Sequence, residues 1–333
     1  MNQIGKKFLL LPIIFLLFFI TSCGVGKDVI KSSGIINLSD KEVNEKYINK
    51  ESKFITIEGT KVHYRDEGKG EVLLLLHGVA SSLHTWDAWV EELKDKYRIV
   101  RLGIPGFGVT GPIASGEYSR DSWVSFLNKF VESIGLEKFS IVGNSMGGFI
   151  AWNYSIDYPS KVEKLILIDP VAYPQKCPWI FKLANTPIVN IIAKYIMPKF
   201  IVNMNVREVF GNPKNIDQEV YDRYFDMILI KGNKASYVKI FQMMVKASNS
   251  EQYAQNVKNI PIPTLLMWGS RDKWVPVALI DRWKQDLPVI DCIIYPDVGH
   301  IPMEELPYLS AYHADKFLKD KEVNKDVLLS KLN

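Results

Sequence analysis

Short runs of aliphatic residues recur along the chain, at Val72–Leu76, Arg98–Leu102, Phe139–Val142, Val162–Ile168, Thr264–Trp268 and Cys292–Tyr295. Val72–Leu76 has no polar interruption, the pattern of a strand buried on both faces of a parallel sheet. Between most of these runs the apolar residues recur at helical spacing. In Ser122–Leu136 they are Trp123, Phe126, Leu127, Phe130 and Ile134, three or four residues apart. Upstream, two β-rich stretches in Phe54–Tyr64 meet at Glu58-Gly59 and predict a hairpin. Hairpin and runs together predict an α/β fold with an open, mostly parallel, doubly wound sheet of about eight strands. In such sheets the chemistry gathers outside the carboxyl ends of the strands.

One connection is too long for a simple crossover. From Val171 to about Ile260 no buried strand is visible, and Pro174, Pro178, Pro187, Pro198 and Pro213 punctuate helical segments. Asp217–Ile230 places Tyr221, Tyr224, Phe225 and Ile228 on one face, and Ser236–Val245 does the same with Tyr237, Ile240, Phe241 and Met244. This insertion after the sixth strand reads as a helical lid, with most of its aromatic and Met residues packed on the core below. The domain reading is a core formed by 51–170 and 261–322, with a helical cap or lid over 171–260.

The N-terminus follows another pattern. Lys6 and Lys7 precede an apolar run from Phe8 to Ile20. It falls short of the roughly 20 residues a membrane span needs and fits the apolar region of a secretory signal. The run ends in Ile20-Thr21-Ser22-Cys23, which resembles the bacterial lipobox. The resemblance implies cleavage after residue 22 and diacylglyceryl attachment to Cys23. The chain would then be exported and membrane-anchored as a lipoprotein; a plain signal peptide would leave it secreted or periplasmic. Residues 23–50 are polar and charged and read as a tether with a short helix around Asp40–Lys50. Cys177 and Cys292 read as buried thiols rather than a bridge.

With 333 residues, 47% hydrophobic and 23% charged, the chain can bury a substantial core. Its net charge of +4 is spread through the sequence without a basic stripe, which sets nucleic acid aside as a partner.

The residues after the strands carry the chemistry. Phe139–Val142 is followed by Gly143-Asn144-Ser145-Met146-Gly147-Gly148 and a helical stretch to Asp157. This is G-x-S-x-G between strand and helix, a sharp turn that exposes a serine at its tip. The Met146 N–H, at the helix start, points where an oxyanion would form. A serine hydroxyl needs a base. His300, in the Gly-bounded loop after Cys292–Tyr295, is well placed for it. Of the other histidines, His77 ends a strand, His84 begins a helix, His63 reads as half-exposed in the hairpin and His313 as a surface helix residue. The imidazole needs an orienting carboxylate. Asp272 and Asp169 both follow strands and satisfy the chain order Ser, Asp, His. Asp272 is preferred because its loop is polar and Gly-bounded, whereas Asp169 opens directly into Pro170 and the insertion. The loop His77-Gly78-Val79 after the first buried strand offers the Val79 N–H as the second oxyanion donor.

Leu76-His77-Gly78, Ser82–Asp87, Ile104–Pro112, the Ser145 turn and the loops around Asp272 and His300 appear in the order of the α/β-hydrolase superfamily. The chain resembles its bacterial lipases, esterases and non-haem haloperoxidases from about Phe54 to Leu318. The resemblance implies the α/β-hydrolase fold, an acid after the seventh strand, a helical lid and two-step hydrolysis of a small-molecule ester. No metal or organic cofactor is implied. The apolar insertion suggests an apolar acyl or alcohol group. Gly103 departs from the Asp that relatives usually carry there, which puts the rigidity of that loop in doubt. Carbon–carbon bond hydrolases share Gly-Asn-Ser-Met-Gly-Gly, but usually carry Trp where this chain has Ile301 and Gly-Pro-Gly where it has Val79-Ala80-Ser81. Carbon–carbon or thioester hydrolysis on the same residues is one alternative. A non-catalytic, ligand-binding surface lipoprotein is another.

Overall fold

The computed structural model describes residues 27–321; the apolar run Phe8–Ile20 and Cys23 lie outside the described residues. The hairpin is present as β1 (Ser52–Ile57) and β2 (Thr60–Gly68), paired antiparallel. The six aliphatic runs form β3 (Glu71–Leu76), β4 (Tyr97–Leu102), β5 (Phe139–Asn144), β6 (Val162–Ile168), β7 (Thr264–Gly269) and β8 (Asp291–Tyr295). They make one eight-stranded sheet in the order β1-β2-β4-β3-β5-β6-β7-β8. From β4 to β8 every pairing is parallel. Successive residues Leu73 to Leu76 are all buried, so both faces of the sheet are covered, as the unbroken run requires.

The helices around the sheet are amphipathic. In α4 (Arg120–Ser133) the Ser119 hydroxyl caps the first turn by accepting from Ser122 N–H, and Trp123, Phe126, Leu127 and Phe130 are buried. It follows α1 (Lys27–Ser32), α2 (Asp40–Tyr47) and α3 (Asp87–Leu93), and precedes α5 (Met146–Asp157). After the insertion come α11 (Ile280–Asp286), α12 (Pro302–Glu305) and α13 (Pro307–Leu318). Across the fold, α3 packs on α13, where Trp89 Nε1 donates to Ser310 Oγ at 2.8 Å.

Between β6 and β7 the insertion is entirely helical at the level of regular elements. It contains α6 (Trp179–Ala184), α7 (Pro187–Ala193), α8 (Lys199–Val209), α9 (Gln218–Ile228) and α10 (Asn233–Ala247). Tyr237, Ile240 and Phe241 are buried, and Phe107 meets Tyr237 edge to face.

Four expectations change. Cys177 and Cys292 form no bridge with each other but are only half-buried. The stretch expected as a tether is folded from Lys27 to Tyr47, and it rests on the insertion. Lys31 and Lys46 both pair with the buried Asp226, at 3.1 and 2.7 Å, and Leu38 N–H donates to Leu229 C=O. His63 and His313 are each 1% exposed, not at the surface. β2 runs between β1 and β4, so His63 is covered by elements distant in sequence, and its pKa falls to about 3 through burial and the nearby Arg65 and Arg101 charges. His313 Nδ1 is 3.0 Å from the Tyr295 hydroxyl on β8.

Gly103 leaves its loop well fixed. Thr110 Oγ1 donates to Gly103 C=O and accepts from His63 N–H, while Gly103 N–H donates to His63 C=O. A Cβ on Gly103 would sit 2.6 Å from that hydroxyl, so Thr110 occupies the room a larger residue would need.

Candidate active site

Five strand ends converge at the carboxyl edge of the sheet. β3 lies between β4 and β5, with Leu76 in register with Gly143, so the loop after β3 lies beside the turn after β5. Those ends supply His77–Ala80 and Ser145. The ends of β6, β7 and β8 supply Asp169, Asp272 and His300, in strand order.

The turn from β5 into α5 is tight. A Cβ on Gly143 would lie 2.3 Å from Gly147 C=O, so no other residue permits this approach of strand and helix. Ser145 has φ 54° and ψ −116°, an unusual conformation for a residue other than glycine. Its N–H donates to Ile168 C=O at 2.9 Å, and its C=O accepts from Phe149 and Val171 N–H. These bonds tie the strained residue to both α5 and the end of β6. As first residue of α5, Met146 has no carbonyl four positions back within the helix for its N–H to reach. Val79 stands in the neighbouring loop and lines both cavities described below.

His77 shapes that loop. Ile104 N–H donates to His77 Nε2 at 2.9 Å, so the ring proton is on Nδ1, which donates to Gly78 C=O at 2.8 Å. Burial lowers its pKa to about 4, consistent with a neutral bridging ring.

His300 is joined to Asp272, not to Asp169. Its Nδ1 is 2.6 Å from Asp272 Oδ2, and both residues are buried. The other carboxylate oxygen, Oδ1, accepts from Trp274 and Val275 N–H at 2.7 and 2.9 Å. With all these bonds directed at one carboxylate, Asp272 is fixed in orientation and His300 carries its proton on Nδ1. Nε2 is then left with its lone pair, and it has no hydrogen-bond partner among the described residues. It is available to accept a proton, although it is not hydrogen-bonded to the Ser145 hydroxyl, a bond that is often long until substrate binds. Asp169, the rival, is fully buried one strand away, and its Oδ1 accepts from Gly269 N–H. Burial, and then the Asp272 charge, raise its pKa well above the usual carboxylate range. Asp169, Asp272 and His300 bring donor atoms within 4.8 Å of one another, in a grouping that could also hold a metal. Asp272 Oδ2 and His300 Nδ1 are already joined by a hydrogen bond.

Two positioning residues have no motif of their own. Asn144, beside the serine, donates from Nδ2 to Ile168 C=O and His300 C=O, at 3.2 and 3.0 Å, locking the Ser145 turn to the His300 loop. Glu305 accepts from Gly299 and Gly211 N–H, at 2.6 and 2.9 Å, and so braces the loop before His300 against the insertion. Asn144 lies inside the motif and its polar side chain at a buried strand end was a usable signal. For Glu305 the sequence offers none.

Two mainly apolar cavities flank these residues. One includes His300, Ile301, Val79, Ile201, Val206 and Phe241. The other includes Ser145, Met146, Phe149, Tyr173, Phe181 and Met244. Val79 and Trp274 border both. Among the described residues no Lys, Arg, Asp or Glu lines either one.

Residues 71–187 match the alpha/beta hydrolase fold family. Over 264 residues the chain is 28% identical to Lipase 3 of Moraxella sp., covering 74% of this chain and 78% of the relative. It is 26% identical over 281 residues to a 2-hydroxy-6-oxononadienedioate/2-hydroxy-6-oxononatrienedioate hydrolase of Pseudomonas sp, covering 80% and 93%. Among solved structures, a bacterial membrane phospholipase A superposes with a TM-score of 0.69 at 23% identity, over 95% of this chain and 97% of that one.

Proposed function

We propose that the chain is an α/β-hydrolase that acts as a serine hydrolase of carboxylic esters, a reading supported by the family match over residues 71–187 and by the likeness to Lipase 3. The observation that carries this reading is the His300–Asp272 hydrogen bond, which leaves Nε2 free to act as base close to the Ser145 turn. Ser145 Oγ attacks the ester carbonyl as its proton passes to His300 Nε2. The imidazolium so formed is stabilised by Asp272. The Met146 and Val79 N–H groups hold the oxyanion, which collapses as His300 protonates the departing alkoxide. Water, deprotonated by His300, then cleaves the acyl-enzyme, and its proton returns to Ser145.

The cavities favour uncharged, apolar groups on both sides of the ester. They also weigh against a dicarboxylate substrate such as the Pseudomonas relative's name describes, since neither cavity has a cationic side chain to meet a carboxylate. A buried CH₂ is worth about 0.8 kcal/mol. With about two to three of the six CH₂ groups that octanoate adds to acetate buried, kcat/KM for p-nitrophenyl esters is expected to rise about 10- to 100-fold. Faster turnover of charged or sugar esters than of octanoate would overturn the apolar-group reading.

The membrane attachment is a separate proposal. It rests on the Ile20–Cys23 sequence after the apolar run. Among the described residues no helix is long and apolar enough to cross a membrane. Intact-mass measurement of the mature protein should show Cys23 as the first residue, carrying a diacylglyceryl group. An unmodified Cys23 would remove the lipid anchor from the proposal.

A further inference from the structure

The insertion carries an apolar surface that the hydrolytic site does not use. In and just after α7, Ile188, Ile191, Ile192 and Tyr195 are 63%, 60%, 45% and 68% exposed. Their spacing of three, four and seven residues makes them one helical stripe. A helix in a water-soluble surface normally turns such a stripe inward; here it faces out. On α8, Phe200 and Met204 repeat the pattern at 62% and 48%, four residues apart. The stripes adjoin, because Ile192 and Phe200 border the same groove. An outward apolar area of this extent marks an interaction surface.

Charge indicates which partner. Between Asp169 and Glu208 the chain has no Asp or Glu, yet it has Lys176, Lys182, Lys194, Lys199 and Arg207. Only Lys199 has an ion-pair partner among the described residues, Asp222 at 2.5 Å. An apolar stripe on a segment whose charged residues are all cations up to Glu208 suits the boundary between acyl chains and anionic headgroups.

The N-terminal segment reaches the same place. Gly34 packs so closely on Met197, between α7 and α8, that a Cβ there would lie 1.8 Å from Met197 C=O. Lys234 Nζ donates to Gly34 C=O at 2.8 Å, which fixes the contact. The next residues, Ile35 and Ile36, are 41% and 55% exposed. From Cys23 to Gly34 the chain can span no more than roughly 40 Å. Any attachment of the N-terminus to a membrane therefore keeps this face near that membrane.

We infer that the outward face of α7 and α8, with Ile35 and Ile36 beside it, seats on an anionic lipid bilayer. The groove it borders shares Ile180, Met197, Ile201, Tyr237 and Phe241 with the cavity at His300. The seated face thus stands directly outside the wall of the reaction site. Its contact with lipid does not depend on whether the substrate is an ester.

The test places an environment-sensitive fluorophore on the full chain at Ile191→Cys, at Ile188→Cys or, as a control on another surface, at Val289→Cys. Val289 is 97% exposed. The label on the unsubstituted chain supplies the background from native cysteines. Neither Ile188 nor Ile191 lines the cavities, so thermal unfolding should match that of the parent. Each protein is reconstituted in vesicles of phosphatidylglycerol and phosphatidylcholine. The expected result is a blue shift at 188 and 191 with at least a 3-fold stronger quenching by brominated lipid than at 289. Replacing phosphatidylglycerol with phosphatidylcholine, or raising salt to about 1 M where the Debye length is near 3 Å, should weaken that difference. Labels at 188 and 191 quenched by aqueous iodide as freely as the label at 289 would overturn the inference. So would efficient disulfide crosslinking between two unlabelled chains of the Ile191→Cys variant, which would assign the face to a second copy.

Discussion

Replacing Ser145 with alanine is expected to lower kcat on a p-nitrophenyl ester by about 10⁴- to 10⁶-fold, the range for loss of a triad nucleophile. The change removes one oxygen and leaves the Cβ that the turn already accommodates at φ 54°. The backbone bonds from Ser145 to Ile168, Phe149 and Val171 use no side-chain atom, so they survive the change. Unfolding temperature should therefore stay within a few degrees of the parent, and KM should change little. A fluorophosphonate ester should add to the parent at Ser145, one equivalent per chain, and should not add to the variant. An adduct that persists in the alanine variant, or activity above about 1% of the parent, would place the nucleophile elsewhere and remove the mechanism with it.

The sequence exposes this site unevenly, for identifiable reasons. The strands are legible because burial on both faces demands unbroken aliphatic runs. Ser145 is legible because its turn requires Gly143 and Gly147. Which carboxylate faces His300 is only partly legible: Asp169 and Asp272 both follow strands and chain order admits either, and only the polar, Gly-bounded loop favours Asp272. The decision lies in the loop after β7, where Trp274 and Val275 N–H groups aim Asp272 at the imidazole. A polar residue at a buried strand end hints at Asn144, but its partner is 156 residues away and that of Glu305 is 94, distances no local pattern reports. The same holds for Lys46 and Asp226, 180 residues apart, whose pairing folds a polar segment that reads as a tether.

Asp272→Asn should cost about 10⁴-fold in kcat, and Asp169→Asn less than about 10-fold. The first expectation follows from the hydrogen bonds. An asparagine at 272 keeps an oxygen for Trp274 and Val275 N–H, so its amide NH₂ must face His300 Nδ1. The ring then accepts at Nδ1 and carries its proton on Nε2, where it can no longer take one from Ser145. The second follows from protonation. Asp169 is fully buried, its Oδ2 has no partner among the described residues, and the Asp272 carboxylate lies close by. Burial and that neighbouring charge hold Asp169 in its neutral form, which an amide imitates in size and in having a hydrogen to donate. A carboxyl whose folded pKa is raised contributes most below its unfolded value of about 4, and its contribution is lost as pH rises toward the folded pKa. Asparagine does not titrate, so Asp169→Asn should gain thermal stability relative to the parent as pH rises from about 4 to 8. If Asp169→Asn lost 10³-fold or more while Asp272→Asn kept a tenth of the activity, the acid would move to Asp169. If instead Asp169→Asn kept its activity but its stability difference stayed flat with pH, the acid would remain Asp272 and the neutral state of Asp169 would be wrong.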